Sequence, residues 1–127
     1  MSTDGQDDGI IRVEAIEAKA IYLVDSSGSP RASLTCSEGG GQNHGHVVIH
    51  LHDQNGIRLS LQVDDKEGAS ISMFNQSASP CISVSALNSR GNGITICDSE
   101  GRPRINAGIE NGDSSADITV LNPDGDV

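Results

Sequence analysis

Aromatic residues are nearly missing from this sequence. Among 127 residues there is no Trp, one Tyr (Tyr22) and one Phe (Phe74). Any interior must therefore be built from Ile, Val, Leu and Ala, and the aromatic platforms on which sugar-binding sites rely are not there. Positive charge is scarce too: Lys and Arg number 8 against 18 Asp and Glu, a formal net charge of −10. That balance opposes non-specific binding to nucleic acid or to an anionic membrane, since both need a positive patch. No stretch approaches the roughly 18 apolar residues of a membrane helix, which excludes that mode of membrane insertion. The 4 Pro and 15 Gly are too few for polyproline or collagen-like structure. Cys36, Cys81 and Cys97 are odd in number and lack C-x-x-C spacing, so they form neither a zinc signature nor a closed disulfide framework. The opening Met1–Asp8 is acidic and polar, without the basic and apolar regions of a secretory signal. The expectation is an intracellular protein, cytoplasmic or released by lysis as part of a particle. Residues 1–9 read as a disordered acidic N-terminus and 10–127 as a single domain.

What the chain has is internal repetition. Five segments follow one grammar, Ile-x-φ-x-[Asp/Asn]-x-x-Gly-x-Pro-Arg-φ-x-φ-x-φ, where φ is apolar. They start at Ile21, Ile49, Ile71, Ile94 and Ile118, and the fifth is cut short after Gly125. The Asp/Asn position falls at Asp25, Asp53, Asn75, Asp98 and Asn122, spacings of 28, 22, 23 and 24 residues. The Gly position keeps step at Gly28, Gly56, Gly101 and Gly125, with Ala78 in the third copy. The Arg position is filled by Arg31, Arg58 and Arg104, and by Cys81 in the third copy; the second copy is one residue shorter before Arg58. The long first spacing carries an insertion, Gly39–Gly45.

Both halves of each copy alternate with period two, the mark of a half-buried strand. Ile49 and Leu51, or Ile82, Val84 and Ala86, point one way; Ser, Thr, Gln, Asn and His fill the other face. Asp-x-x-Gly between the halves is hairpin chemistry. The Asp or Asn accepts hydrogen bonds from turn N–H groups, and Gly supplies the positive φ of a type I turn with a bulge. Pro before Arg removes a ladder donor, and the Arg falls close enough to the turn Asp for a tip salt bridge. Residues 10–20 alternate at Ile11, Val13 and Ala15 and then slip phase at Ile16. They read as an extended lead-in strand with a bulge, with a short helix as the alternative.

Tandem L-x-D-x-x-G-x-x-R-x-x-L units of this kind, preceded by a segment like Val13–Leu23, resemble an uncharacterised class of bacterial tandem β-repeat proteins over residues 13–127. More loosely, strand–Gly turn–strand units on a Ser/Thr/Asn-rich background are similar to the trimeric shafts of phage and viral fibres. That second likeness implies three chains burying one apolar face along a common axis. Neither brings catalytic residues.

A meander with one apolar face cannot stand alone in water. The expected fold is all-β: about five hairpin copies of 22–24 residues forming a meander that closes into a barrel or prism-like bundle, or is completed by oligomerisation. The alternative is a two-sheet β-solenoid, which would stack Asp25, Asp53 and Asp98 in one like-charged column. Small Ala- and Cys-containing core positions favour a closed ring of copies, most simply a trimer.

All four His fall in one segment, His44, His46, His50 and His52. The last three share parity and project opposite to Ile49 and Leu51, so with His44 close by they offer candidate zinc or nickel ligands, with symmetry copies completing the set. Calcium loops of the Asp-x-Asp-x-Asp-Gly type are missing, and no G-x-S-x-G elbow is present. The function expected is a non-enzymatic structural or assembly protein whose partner is itself. The alternative is a metal- or partner-binding module built on residues 43–53.

Overall fold

The computed structural model describes residues 9–39, 45–89, 91–110, 112 and 115–127. Among the described residues nine strands follow in chain order: β1 (Ala20–Val24), β2 (Pro30–Ser37), β3 (His46–Asp53), β4 (Gly56–Asp64), β5 (Gly68–Phe74), β6 (Pro80–Leu87), β7 (Gly91–Cys97), β8 (Pro103–Ile109) and β9 (Asp117–Val120). They form one antiparallel sheet in sequence order, each strand pairing with the next. This is the expected hairpin meander. The solenoid alternative is overturned, since every neighbouring pair is antiparallel. Closure within the chain does not occur either: the sheet ends at β1 and β9 and is not a barrel. The lead-in segment is also corrected. Residues 10–18 form neither strand nor helix, and Ile11 and Val13 stand exposed there. With the phase slip at Ile16, that segment has no single face to lay on the sheet. The disordered reading of the acidic N-terminus falls almost wholly on residues outside those described.

Why these residues make these strands follows from the register. Ile21 pairs with Leu34, which pairs with Ile49, and the row runs on through Leu61, Ile71, Val84, Ile94 and Ala107 to Ile118. A second aliphatic row lies beside it, from Leu23 through Leu51, Met73 and Ile96 to Val120. Between the two, on the opposite face, runs a polar row: Ser33, His50, Ser60, Ser72, Ser83, Thr95 and Asn106. A one-residue slip anywhere would exchange the two faces, so each pairing holds the others in register.

The turns explain the departures in the repeat. In the first, Asp25 N–H donates to the Ser29 carbonyl and Gly28 N–H to the Asp25 carbonyl, with Gly28 at φ 82°. The same pair of bonds closes the turns at Asn75, Asp98 and Asn122. The shorter second copy makes a tighter turn instead, with Asp53 paired directly to Gly56 at φ 133°. After each of the first four turns the even strand carries one extra residue: Arg31, Arg58, Cys81 and Arg104 are skipped by the register. The repeated Arg position is thus a β-bulge, the device by which a sheet re-aims one side chain.

Ala78 occupies the Gly position at φ 59°, a left-handed conformation that costs an L-residue about 1–2 kcal/mol. Ala78→Gly removes that cost but gives back about 0.4–1 kcal/mol of chain entropy. The variant should gain about 0.5 kcal/mol in stability, seen as a higher midpoint in chemical denaturation; a clear loss would contradict the turn assignment.

Candidate functional site

The aliphatic rows are not covered. On this face Ile71 and Ile94 in the central row are 37% and 45% exposed; among the described residues the one buried hydrophobic side chain, Val48 at 7%, lies on the other face, paired with Thr35 and Gln62. A depression of about 410 Å³ lies on this face, where the paired Ala69 and Ala86 leave room beside Val63, Ile71 and Val84. Isolated exposed apolar residues are ordinary, but a contiguous aliphatic face spanning nine strands is more than a monomeric soluble protein ordinarily leaves in water.

The turn residues named from sequence assemble along one edge. Successive hairpins point the same way, so Asp25, Asp53, Asn75, Asp98 and Asn122 lie two strands apart, about 9.5 Å. Their side chains serve the turns. Asp25 Oδ1 accepts from the N–H groups of Ser27 and Ser29 and from the Ser27 hydroxyl. Asn75 and Asn122 each accept from the same two turn N–H positions. The Ser27 hydroxyl, then the Ser29 N–H, hold the Asp25 carboxyl below the usual range. At Asp53 the Asn55 N–H and Arg58 do the same. Burial pushes Asp98 upward, but the Arg102 N–H and guanidinium and the Glu100 N–H outweigh it, and the net direction is down.

The tip salt bridges form. Arg58 Nε donates to Asp53 Oδ2, and Arg31 and Arg104 place Nη1 3.8 Å from Asp25 and Asp98. Sequence reasoning missed their second contact. Arg58 Nη1 also donates to the Phe74 carbonyl of β5 at 3.3 Å, and Arg104 Nε donates to the Leu121 carbonyl at 2.7 Å. Each of these arginines therefore clasps its own turn and the next hairpin. The available signal was position: Phe74 and Leu121 each directly precede the Asn of the next turn. Asn75 Nδ2 adds a further link, donating to the Ser99 carbonyl at 3.0 Å.

The histidines stand opposite the aliphatic face. His46 lies 2.9 Å from the Ser37 hydroxyl through Nδ1. The rings of His50 and His52 meet edge to face, centroids 6.1 Å apart. His44 lies outside the described residues. Among the described residues no group of three or more His, Cys, Asp or Glu side chains could hold a metal ion. The spacing explains this: His46 and His50 are four strand residues apart, about 13 Å, and Asp53 is taken by its turn and Arg58.

Burial, and then the charge of His52, lower the pKa of His50 below 6.5. The unfolded chain therefore binds this proton more readily than the folded one. The folded state keeps its full margin above pH ~6.5 and loses part of it as pH falls from there toward the folded pKa. His50→Gln should flatten denaturation midpoints across that window while leaving the alkaline midpoint nearly unchanged. An equal acid dependence in the variant would remove His50 as the cause.

No helix among the described residues is long and apolar enough to cross a membrane. Comparison with protein-family models, with curated proteins and with solved structures found no match.

Proposed function

We propose that this chain is a non-enzymatic structural module that assembles with copies of itself, most simply as a closed trimer. One observation carries the reading: two unbroken aliphatic rows run across nine strands on one face and nothing among the described residues covers them. At about 25 cal/mol per Å² of apolar area, leaving such a face in water is costly, and a single sheet layer has no second layer of its own. Copies related by a rotation axis bury the face and leave the Ser/Thr/Asn row and the acidic turn edge in solvent. Like charge on that outer surface, from a chain of net charge −10, keeps finished particles apart. The depression at Ala69 and Ala86 suits an Ile or Leu side chain of a neighbouring copy. Three free thiols suit a reducing setting, inside a cell or in a particle released from one.

The test is absolute mass by light scattering after size exclusion. A single species at three times 13.2 kDa is expected. A folded monomer would remove the reading, and a different closed number would remove the trimer while keeping self-assembly.

A further inference from the structure

The bulge position carries Arg in β2, β4 and β8 but Cys81 in β6. Where the clasp to the next hairpin is formed, Arg58 meets the residue before Asn75, and Arg104 meets the residue before Asn122. The residue in that place opposite Cys81 is Cys97, directly before Asp98. The ladder between β6 and β7 ends with Ile82 opposite Ile96, and Cys81 and Cys97 are the next residues along each strand. The one copy that gives up its arginine thus has a thiol at both ends of the contact the arginine would make.

Facing residues of an antiparallel pair have Cα atoms about 4.5–5.5 Å apart, inside the 4.4–6.8 Å that a disulfide spans. Both thiols are free and half-buried, whereas Cys36 is exposed on β2. The Cys97 thiol is pushed up by burial, then by Cys81 beside it and by Asp98. It is therefore the poorer first nucleophile, because exchange starts from the thiolate.

We propose that Cys81 and Cys97 form a reversible cross-strand disulfide, which takes the place of the arginine clasp between the third and fourth hairpins when the protein meets an oxidising thiol pool. The oxidant is a small-molecule disulfide such as oxidised glutathione. The Cys81 thiolate attacks one of its sulfurs, its S–S bond breaks, and one glutathione leaves as thiolate. The Cys97 thiolate then attacks the Cys81 sulfur, forming the Cys81–Cys97 bond and expelling the second glutathione. The two thiol protons pass to the departing thiolates, and the two electrons lost by the cysteines reduce the glutathione disulfide to two thiols.

The experiment incubates the full-length chain with oxidised glutathione, alkylates free thiols with iodoacetamide, and reads tryptic peptides by mass spectrometry; cleavage after Arg90 separates the two cysteines. Expected is a linked pair of peptides lighter by two hydrogens than their sum, with Cys36 alkylated or carrying glutathione. Dithiothreitol should dissolve the link, and Cys81→Ser or Cys97→Ser should abolish it. The oxidised wild type should also melt higher than a Cys81→Ser/Cys97→Ser double variant treated alike. Glutathione adducts without a link, links through Cys36 only, or full alkylation of Cys81 and Cys97 would each overturn the proposal.

Discussion

Ile71→Glu will dissolve the assembly, while Ser72→Glu one residue away will leave it intact. Ile71 sits mid-sheet in the central aliphatic row, with Leu61 on one side and Val84 on the other. Its side chain is 37% exposed in the single chain, and the proposed self-association would cover the rest. A carboxylate there has no cation opposite, and an uncompensated buried charge costs about 3–5 kcal/mol, equal to a hundredfold to several-thousandfold loss in association. Ser72 is half-buried in the polar row between Ser60 and Ser83, on the face that the proposed packing leaves open to water. Sedimentation of the two variants separates the faces. Equal behaviour of the pair, assembled or dispersed, would contradict the assignment of faces.

Asp98→Ala should lower the melting temperature by roughly 10 °C or more, because this one side chain holds a turn together. Its Oδ1 accepts from the Glu100 and Arg102 N–H groups, and its Oδ2 takes the Arg102 Nε at 2.9 Å. The side chain is only 16% exposed, so water replaces those partners poorly. Hydrogen bonds to a charged group are among the stronger ones a protein makes, and in a domain of this size each such loss moves the melting temperature by several degrees. Asp98→Asn separates the contributions. Asn75 and Asn122 already accept the equivalent N–H groups in their own copies. The Asp98→Asn variant should therefore keep the turn and lose only the ion pairs with Arg102 and Arg104, both partly exposed, a small contribution once water screens them. An Asn variant as damaged as the Ala variant would mean that charge, not turn geometry, sets this position.

The acid response follows the same groups. Asp25, Asp53 and Asp98 all have folded pKa values below their ordinary 3.8. Their contribution is present above pH ~3.8 and is lost as pH falls through the folded values, below the window in which His50 acts.

What could be read from the sequence was whatever two or four residues decide. Strand parity was legible because Ile71, Met73, Ile82 and Val84 alternate without a break. Turn positions were legible because Asp98 and Gly101 satisfy one another within four residues. The Arg104 contact with Asp98 came from the same short loop. What was not legible depends on the path of the whole chain. Whether β9 meets β1 is a matter of accumulated twist and strand number, which no single copy encodes; of the two expected ways to complete the meander, closure into a barrel does not occur. The reach of Arg58 to the Phe74 carbonyl required the bulge, which shows only once Leu59 is paired with Leu51 and Ile57 with His52. His46, His50 and His52 share parity, but parity fixes a face and not a distance, so the sequence alone could not say which of them meet. Residues 10–18 were not legible because a phase slip such as that at Ile16 fits a bulged strand on paper, and the segment forms no strand.

Thiol labelling at neighbouring positions tests most directly whether the aliphatic side is hidden. In a background with Cys36, Cys81 and Cys97 replaced by Ser, cysteine is introduced as Ile94→Cys or as Thr95→Cys, and each assembled variant is treated with a charged, water-soluble maleimide. The account predicts rapid labelling at position 95 and strong protection at 94 that disappears on unfolding. Equally rapid labelling at both positions in the folded protein would contradict it.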